Sequence, residues 1–123
     1  MPDSPAPGVR SADSSAAAQA GSRRRTVRLD GESVGTRERL LAALARTLSF
    51  PSYFGGNWDA LEECLRDLSW LEPWDELRIE HDAPPLAADV AQAAIYHAIL
   101  SSAARHWAAH DPPRVVEWTW PSE

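Results

Sequence analysis

The chain has 123 residues with 18 acidic and 12 basic side chains, a formal net charge of −6, six tryptophans and one cysteine. That length fits one small domain with one core, the single cysteine excludes an internal disulfide and a multi-cysteine zinc site, and no apolar run approaches the roughly 20 residues that span a membrane. Residues 26–123 hold 16 acids against eight arginines, which argues against a nucleic-acid surface, because phosphate neutralisation needs clustered cations.

Residues 1–24 are rich in Pro, Ser, Ala and Gly and bury too little apolar surface to offset ordering entropy, so a disordered tail is expected there. Residues 25–123 are expected to form a single domain. The start, Met1-Pro2-Asp3, lacks the basic and apolar segments of a secretory signal, so residence in the cytoplasm is expected. Every basic residue is an arginine, as the codon bias of a GC-rich genome produces. The run Arg23–Arg25 reads as a solvated lead-in to a strand. Thr26-Val27-Arg28-Leu29 alternates and predicts that first strand, ended by the turn signal Asp30-Gly31. Thr36 is placed to cap a helix with Glu38 in its first turn, and Leu40, Leu41, Leu44 and Leu48 recur at helical spacing. Pro51 stops that helix at or before Phe50. After the loop Ser52–Gly56, Asn57 predicts the cap of a second helix over about residues 58–69.

Trp70 to Pro73 reads as a break. Trp74 to Glu80 predicts a second strand, with Leu77 and Ile79 alternating against charges. A loop at Asp82–Pro85 precedes an alanine-rich helix over Ala87–Ala109, which Asp111-Pro112-Pro113 ends. Val115–Trp120 predicts the last strand, with Val116, Trp118 and Trp120 on one face. The order β-α-α-β-α-β predicts an α/β fold: a small three-stranded parallel sheet with right-handed crossovers, packed with three to four helices.

The second helix divides into two faces. At about 100° per residue, Leu61, Cys64, Leu65 and Leu68 fall within an arc of about 100° and predict the side packed on a core. Asp59, Glu62, Glu63 and Asp67 hold the other side, with Arg66 among them. The dipole of the helix favours an acid in the first turn but not Glu63 or Asp67, and like charges four apart cost about 0.2–0.5 kcal/mol each. A solvated face accounts for the charge pattern, and so does a surface built for a cationic partner. The loop before the helix adds two aromatics, Tyr53 and Phe54, beside Gly55 and Gly56, with Trp58 in the first turn. Exposed aromatics beside acids are typical of binding hot spots. Phe54 and Trp58 have an alternative place under the helix, whereas Tyr53 is expected to be exposed.

The motif Pro51-x-Tyr53-Phe54-Gly55-x-Asn57-x-Asp59-Ala60-Leu61-x-x-Cys64-Leu65 resembles the barstar family of intracellular ribonuclease inhibitors. The Asp30-Gly31-Glu32 turn and the order of elements extend the resemblance over about residues 26–120. It implies an inhibitor, or an immunity protein against a ribonuclease-type toxin, whose loop and second helix plug the active site of a basic, guanyl-preferring ribonuclease. Asp59 and Glu63 would stand in for RNA phosphates, Tyr53 would take the place of the family's exposed aromatic, and Gly55, Asn57 and Trp58 would fall on contact positions. The candidate partner-binding set is therefore Tyr53, Phe54, Gly55, Gly56, Asn57, Trp58, Asp59, Glu62, Glu63 and Asp67. This chain departs from the family at three places. Glu63 stands where an aspartate is usual, Glu62 where the best-known member has a large aromatic, and Ser102 near a further acidic contact. Charge pairs in the family's best-studied complex couple by about 1.5–7 kcal/mol. That exceeds the intrahelical repulsion and favours the functional reading of the acids. The alternative is a module of the same fold with a basic partner that is not a nuclease.

Other chemistry has less support. His106 and His110 are four apart but lack an evident third metal ligand. Cys64 lies in the apolar stripe and reads as a core residue rather than a nucleophile. Asp59 and Glu63 as a glycosidase-like pair would need a cleft, and a single helix face offers none. The expectation is a protein that is not an enzyme. It would need no cofactor or metal, make no direct contact with nucleic acid or membrane, and be monomeric when free.

Overall fold

The computed structural model describes residues 23–121. Three parallel strands, β1 (Arg24–Leu29), β2 (Glu76–His81) and β3 (Val115–Thr119), form one sheet in the order β1-β2-β3. Three helices connect them: α1 (Arg37–Thr47) and α2 (Trp58–Leu65) between β1 and β2, and α3 (Val90–Ala108) between β2 and β3. The α/β fold with a three-stranded parallel sheet is as expected. The expected tail over residues 1–24 lies almost wholly outside the described residues.

Strands taken in sequential order by right-handed crossovers send every connecting helix to the same side of the sheet. The burial pattern fits that arrangement. Leu77, Ile79 and His81 of β2 are buried, as are Leu29 and Val116 in the neighbouring strands. The register pairs Leu77 with Val116 and Arg25, and Ile79 with Val27 and Trp118. The other face is open and carries charges. There Arg78 binds Glu80 at 3.0 Å and Glu117 at 2.8 Å, while Arg24 meets Glu76 at 3.2 Å.

Several boundaries differ from the sequence reading. β1 begins at Arg24 rather than Thr26. Within the arginine run expected to be a solvated lead-in, Arg25 turns to the helical side and donates to the carbonyls of Leu71 and Pro73 at 3.2 and 2.9 Å. α2 ends at Leu65, not near 69. Leu68 then takes a left-handed conformation (φ 49°) and a short 3-10 turn covers Ser69–Leu71. The cause is tertiary: Trp70 is drawn back to α1, where its Nε1 donates to the Leu48 carbonyl at 2.9 Å and its ring meets Phe50. α3 starts at Val90 because Asp89 caps it, accepting from the Gln92 amide at 3.1 Å. Trp74 precedes β2 and is fully buried against Trp107. The Arg114 guanidinium stacks on both rings and pairs with Glu72 through two N–H groups.

One buried polar residue links the sheet to α3. His81 Nδ1 lies 2.9 Å from the Thr119 carbonyl and Nε2 lies 2.8 Å from the Tyr96 hydroxyl. A carbonyl only accepts, so Nδ1 carries the proton and Nε2 accepts from the tyrosine. That neutral tautomer satisfies every partner. Burial holds the His81 pKa below its ordinary 6.5, so below that pH the unfolded chain takes up a proton that the folded chain refuses. His81 therefore stabilises the fold above about pH 6.5 and loses that contribution as the pH falls towards its depressed folded value. The urea midpoint is expected to drop between pH 7.5 and pH 5.5, and His81→Gln should make that drop shallower. Equal slopes for the two proteins would show that His81 is not the group responsible.

Candidate functional site

The second helix is built at both ends by side chains. Asn57 Oδ1 accepts from the Ala60 amide at 2.8 Å and caps the start, as its sequence position predicted. Gly56, just before it, has a φ of 74°, a left-handed conformation that glycine adopts without the cost a side chain would meet. Leu61, Cys64, Leu65 and Leu68 are all essentially inaccessible to solvent, so the apolar stripe read from the sequence is the buried face. Burial, with the charges of Asp67 and Glu63 adding to it, holds the Cys64 thiol above its ordinary pKa. The thiol stays protonated, as expected of a core residue.

Burial of that stripe directs the acids outward. Asp59, Glu63 and Asp67 are exposed and Glu62 is half-buried. Asp59, Glu62 and Glu63, together with Arg66 and His106, line an open groove of about 520 Å³ between α2 and α3. α3 supplies a wall that helical periodicity does not reveal, so the acids border an open groove rather than a bare helix side. Ser102 of α3 donates to Glu62 Oε2 at 3.1 Å, and Arg66 approaches the same carboxylate at 4.0 Å. The uncharged Ser102 thus holds an acid of the neighbouring helix.

The loop aromatics take different places. Tyr53 is 63% exposed, as expected, and its hydroxyl donates to Asp67 Oδ2 at 3.0 Å. Phe54 packs on Phe50 with ring centroids 4.9 Å apart, and its amide closes a turn onto the Pro51 carbonyl at 3.0 Å. Trp58 is half-buried, donates from Nε1 to Gln92 Oε1 at 2.7 Å and lies 6.1 Å from the Tyr96 ring. Both are chiefly anchors of the loop and of the first helical turn. Asp67 stands apart from the groove and joins Tyr53 instead.

His106, weighed from its sequence spacing as a metal ligand with His110, lines the groove. A signal was available: it lies four residues after Ser102, one helical turn along the same face. His110 Nδ1 meets the Pro112 carbonyl at 3.1 Å. Among the described residues, no group of three or more His, Cys, Asp or Glu is placed to hold a metal ion, and no helix is long and apolar enough to cross a membrane.

Fold and surface together define a small α/β protein whose charge and exposed aromatic character converge on one helix and the loop before it. A family model described as Barstar (barnase inhibitor) matches residues 24–118, and the chain belongs to that family. The resemblance carried by the loop-and-helix motif is borne out over most of the chain, and the family's description is that of an inhibitor rather than an enzyme. No curated protein matches the chain.

Asn57→Ala removes the cap and is expected to cost about 1 kcal/mol of unfolding free energy in urea denaturation. Trp107→Phe removes the donor that binds the Leu65 carbonyl at 2.8 Å and is expected to cost about 1–3 kcal/mol. Faster amide exchange at Leu65–Leu68 should accompany that loss, because the carbonyl helps to hold the end of α2. Unchanged exchange there would show that the clamp is not needed.

Proposed function

We propose that this protein inhibits a basic ribonuclease, or serves as the immunity protein of a ribonuclease-type toxin, by occluding the nuclease active site. One observation carries the reading: in a chain of the Barstar family, Asp59, Glu62 and Glu63 line one open groove, and the loop before that helix carries an exposed tyrosine bonded to Asp67 just after it. Tyr53, Gly55, Gly56, Asn57, Asp59, Glu62 and Glu63 form the contact face. Asp67, Phe54 and Trp58 support it. The carboxylates take the place of RNA phosphates among the cations that bind substrate, so inhibition is competitive and involves no chemical step. An excess of acids over cations steers a basic partner towards this face, making association fast and sensitive to salt. The cytoplasm is the compartment in which a cell needs such protection, and the free protein acts as a monomer.

The test is to titrate the protein into barnase, the ribonuclease named in the family's description, into other basic guanyl-preferring ribonucleases and into ribonuclease toxins, following RNA cleavage. At least one is expected to be inhibited. For that enzyme, Asp59→Ala and Glu63→Ala should each raise Kd by about two orders of magnitude, the scale for truncating one partner of a buried charge pair. Absence of both inhibition and binding across the set overturns the proposal. Loss of a basic partner that is not a nuclease, on Asp59→Ala, would instead favour a binding module with another target.

A further inference from the structure

Tyr53 is the loop aromatic most open to solvent, yet its hydroxyl is already engaged. It donates to Asp67 Oδ2 at 3.0 Å across 14 residues of chain. Asp67 follows the last turn of α2, while Tyr53 precedes the first, so the bond spans the helix from outside. Asp67 does not line the groove formed by Asp59, Glu62 and Glu63. A tyrosine hydroxyl has one proton and an ionised carboxylate can only accept. With that proton committed to Asp67, the phenolic oxygen is left with acceptor capacity alone.

We propose that Asp67 is a positioning residue of the binding surface. It fixes the Tyr53 ring in one orientation and turns the phenolic oxygen into an acceptor, which selects a hydrogen-bond donor on the partner: a guanidinium, an ammonium, an imidazolium or a backbone N–H. This rests on the reading that the loop binds a protein. The loop backbone has other restraints, in the Phe54–Pro51 turn and the Phe54–Phe50 contact. The bond to Asp67 is the hydrogen bond that holds the Tyr53 side chain among the described residues. A free tyrosine samples about three staggered wells at χ1, so a partner that fits one of them loses about threefold in apparent affinity. The bond to Asp67 removes that dilution before the partner arrives. The groups facing the hydroxyl all keep it protonated. Partial desolvation comes first, then the bond and charge of Asp67, with Cys64 and Glu63 adding to them, and the phenol stays above its ordinary pKa of 10.0.

Two measurements test this. The first needs no partner: the ¹³Cζ resonance of Tyr53 is followed against pH in protein labelled at tyrosine and assigned with Tyr53→Phe. Its midpoint should lie above the ordinary phenol range and fall in Asp67→Ala. Identical titration of the two proteins overturns the proposal. The second uses whichever ribonuclease the wild-type protein is found to inhibit, with Kd measured at low salt and at 0.5 M salt for Tyr53→Phe, Asp67→Ala and the double variant. Each single change should raise Kd about three- to tenfold, and the double variant should bind no more weakly than the more affected single one, because both changes break one bond. Multiplying effects, or an Asp67→Ala effect erased by 0.5 M salt, would make Asp67 only a surface charge and overturn the proposal. If the wild-type protein binds no ribonuclease, the functional reading fails on its own, and the titration still decides whether Asp67 holds Tyr53.

Discussion

An eight-residue helix is far too short to persist alone in water, where even favourable sequences need about 12–15 residues. α2 exists because α3 holds it along its whole length. Gln92 receives the Trp58 indole at its start, Ser102 binds Glu62 in its middle, and Trp107 donates to the Leu65 carbonyl at its end. The 19-residue α3 acts as a splint for a helix less than half its length. These three bonds, with the buried Leu61, Cys64 and Leu65, fix both the position and the rotation of α2. Rotation decides which residues face solvent: a turn by one residue, about 100°, would bring leucines to the surface and acids to the core. Which side chains of α2 face solvent is thus set by contacts on the opposite side of the helix.

α3 is seated on the sheet by a second chain of contacts. Tyr96 reaches through His81 to the Thr119 carbonyl, so α3, β2 and β3 meet in one buried polar relay. Trp118 and Trp120 pack edge-on against His97 of the same helix. A connected path therefore runs from the sheet through α3 to α2 and its acids. The ion pairs on the open face of the sheet are not part of it. Those pairs are partly or largely exposed, and exposed pairs contribute about 0–1 kcal/mol each. Their role is to make the uncovered face of a parallel sheet compatible with water, a face that other parallel sheets cover with helices.

What the sequence revealed, and what it concealed, follows from the range of the interactions. Asn57, the stripe of Leu61, Cys64 and Leu65, and the alternation of Leu77 and Ile79 are local patterns with fixed periods, and the structure has them where those periods put them. α2 ends before residue 69 because Trp70, pulled back to Leu48, outweighs the helical preference of residues 66–69. α3 starts after Ala87 and Ala88, which read as helical, because Asp89 caps it. The groove, the Ser102–Glu62 bond across 40 residues and the burial of His81 depend on which elements lie side by side. No local period encodes that adjacency. The Tyr53–Asp67 bond is intermediate in this respect. Both residues were singled out, but their meeting depends on the path of the loop around the helix.

The acids of α2 fall into two kinds, and the division bears on specificity. Glu62 and Asp67 are held by Ser102 and Tyr53, so their positions are set before any partner arrives. Asp59 and Glu63 have no hydrogen-bond partner among the described residues and remain exposed. In water that exposure costs little, because solvent screens the charges and hydrates both carboxylates. Under a partner the hydration is lost, and an unpaired carboxylate becomes expensive to bury. A neutral surface that covers this face must leave two charges unsatisfied, whereas a surface with matching cations satisfies both. On the proposed function, such a face would discriminate against a neutral surface as well as favour a cationic one. Glu63 is one methylene longer than an aspartate and reaches further from the helix, so on the proposed function a cation paired with it would lie further from the α2 axis.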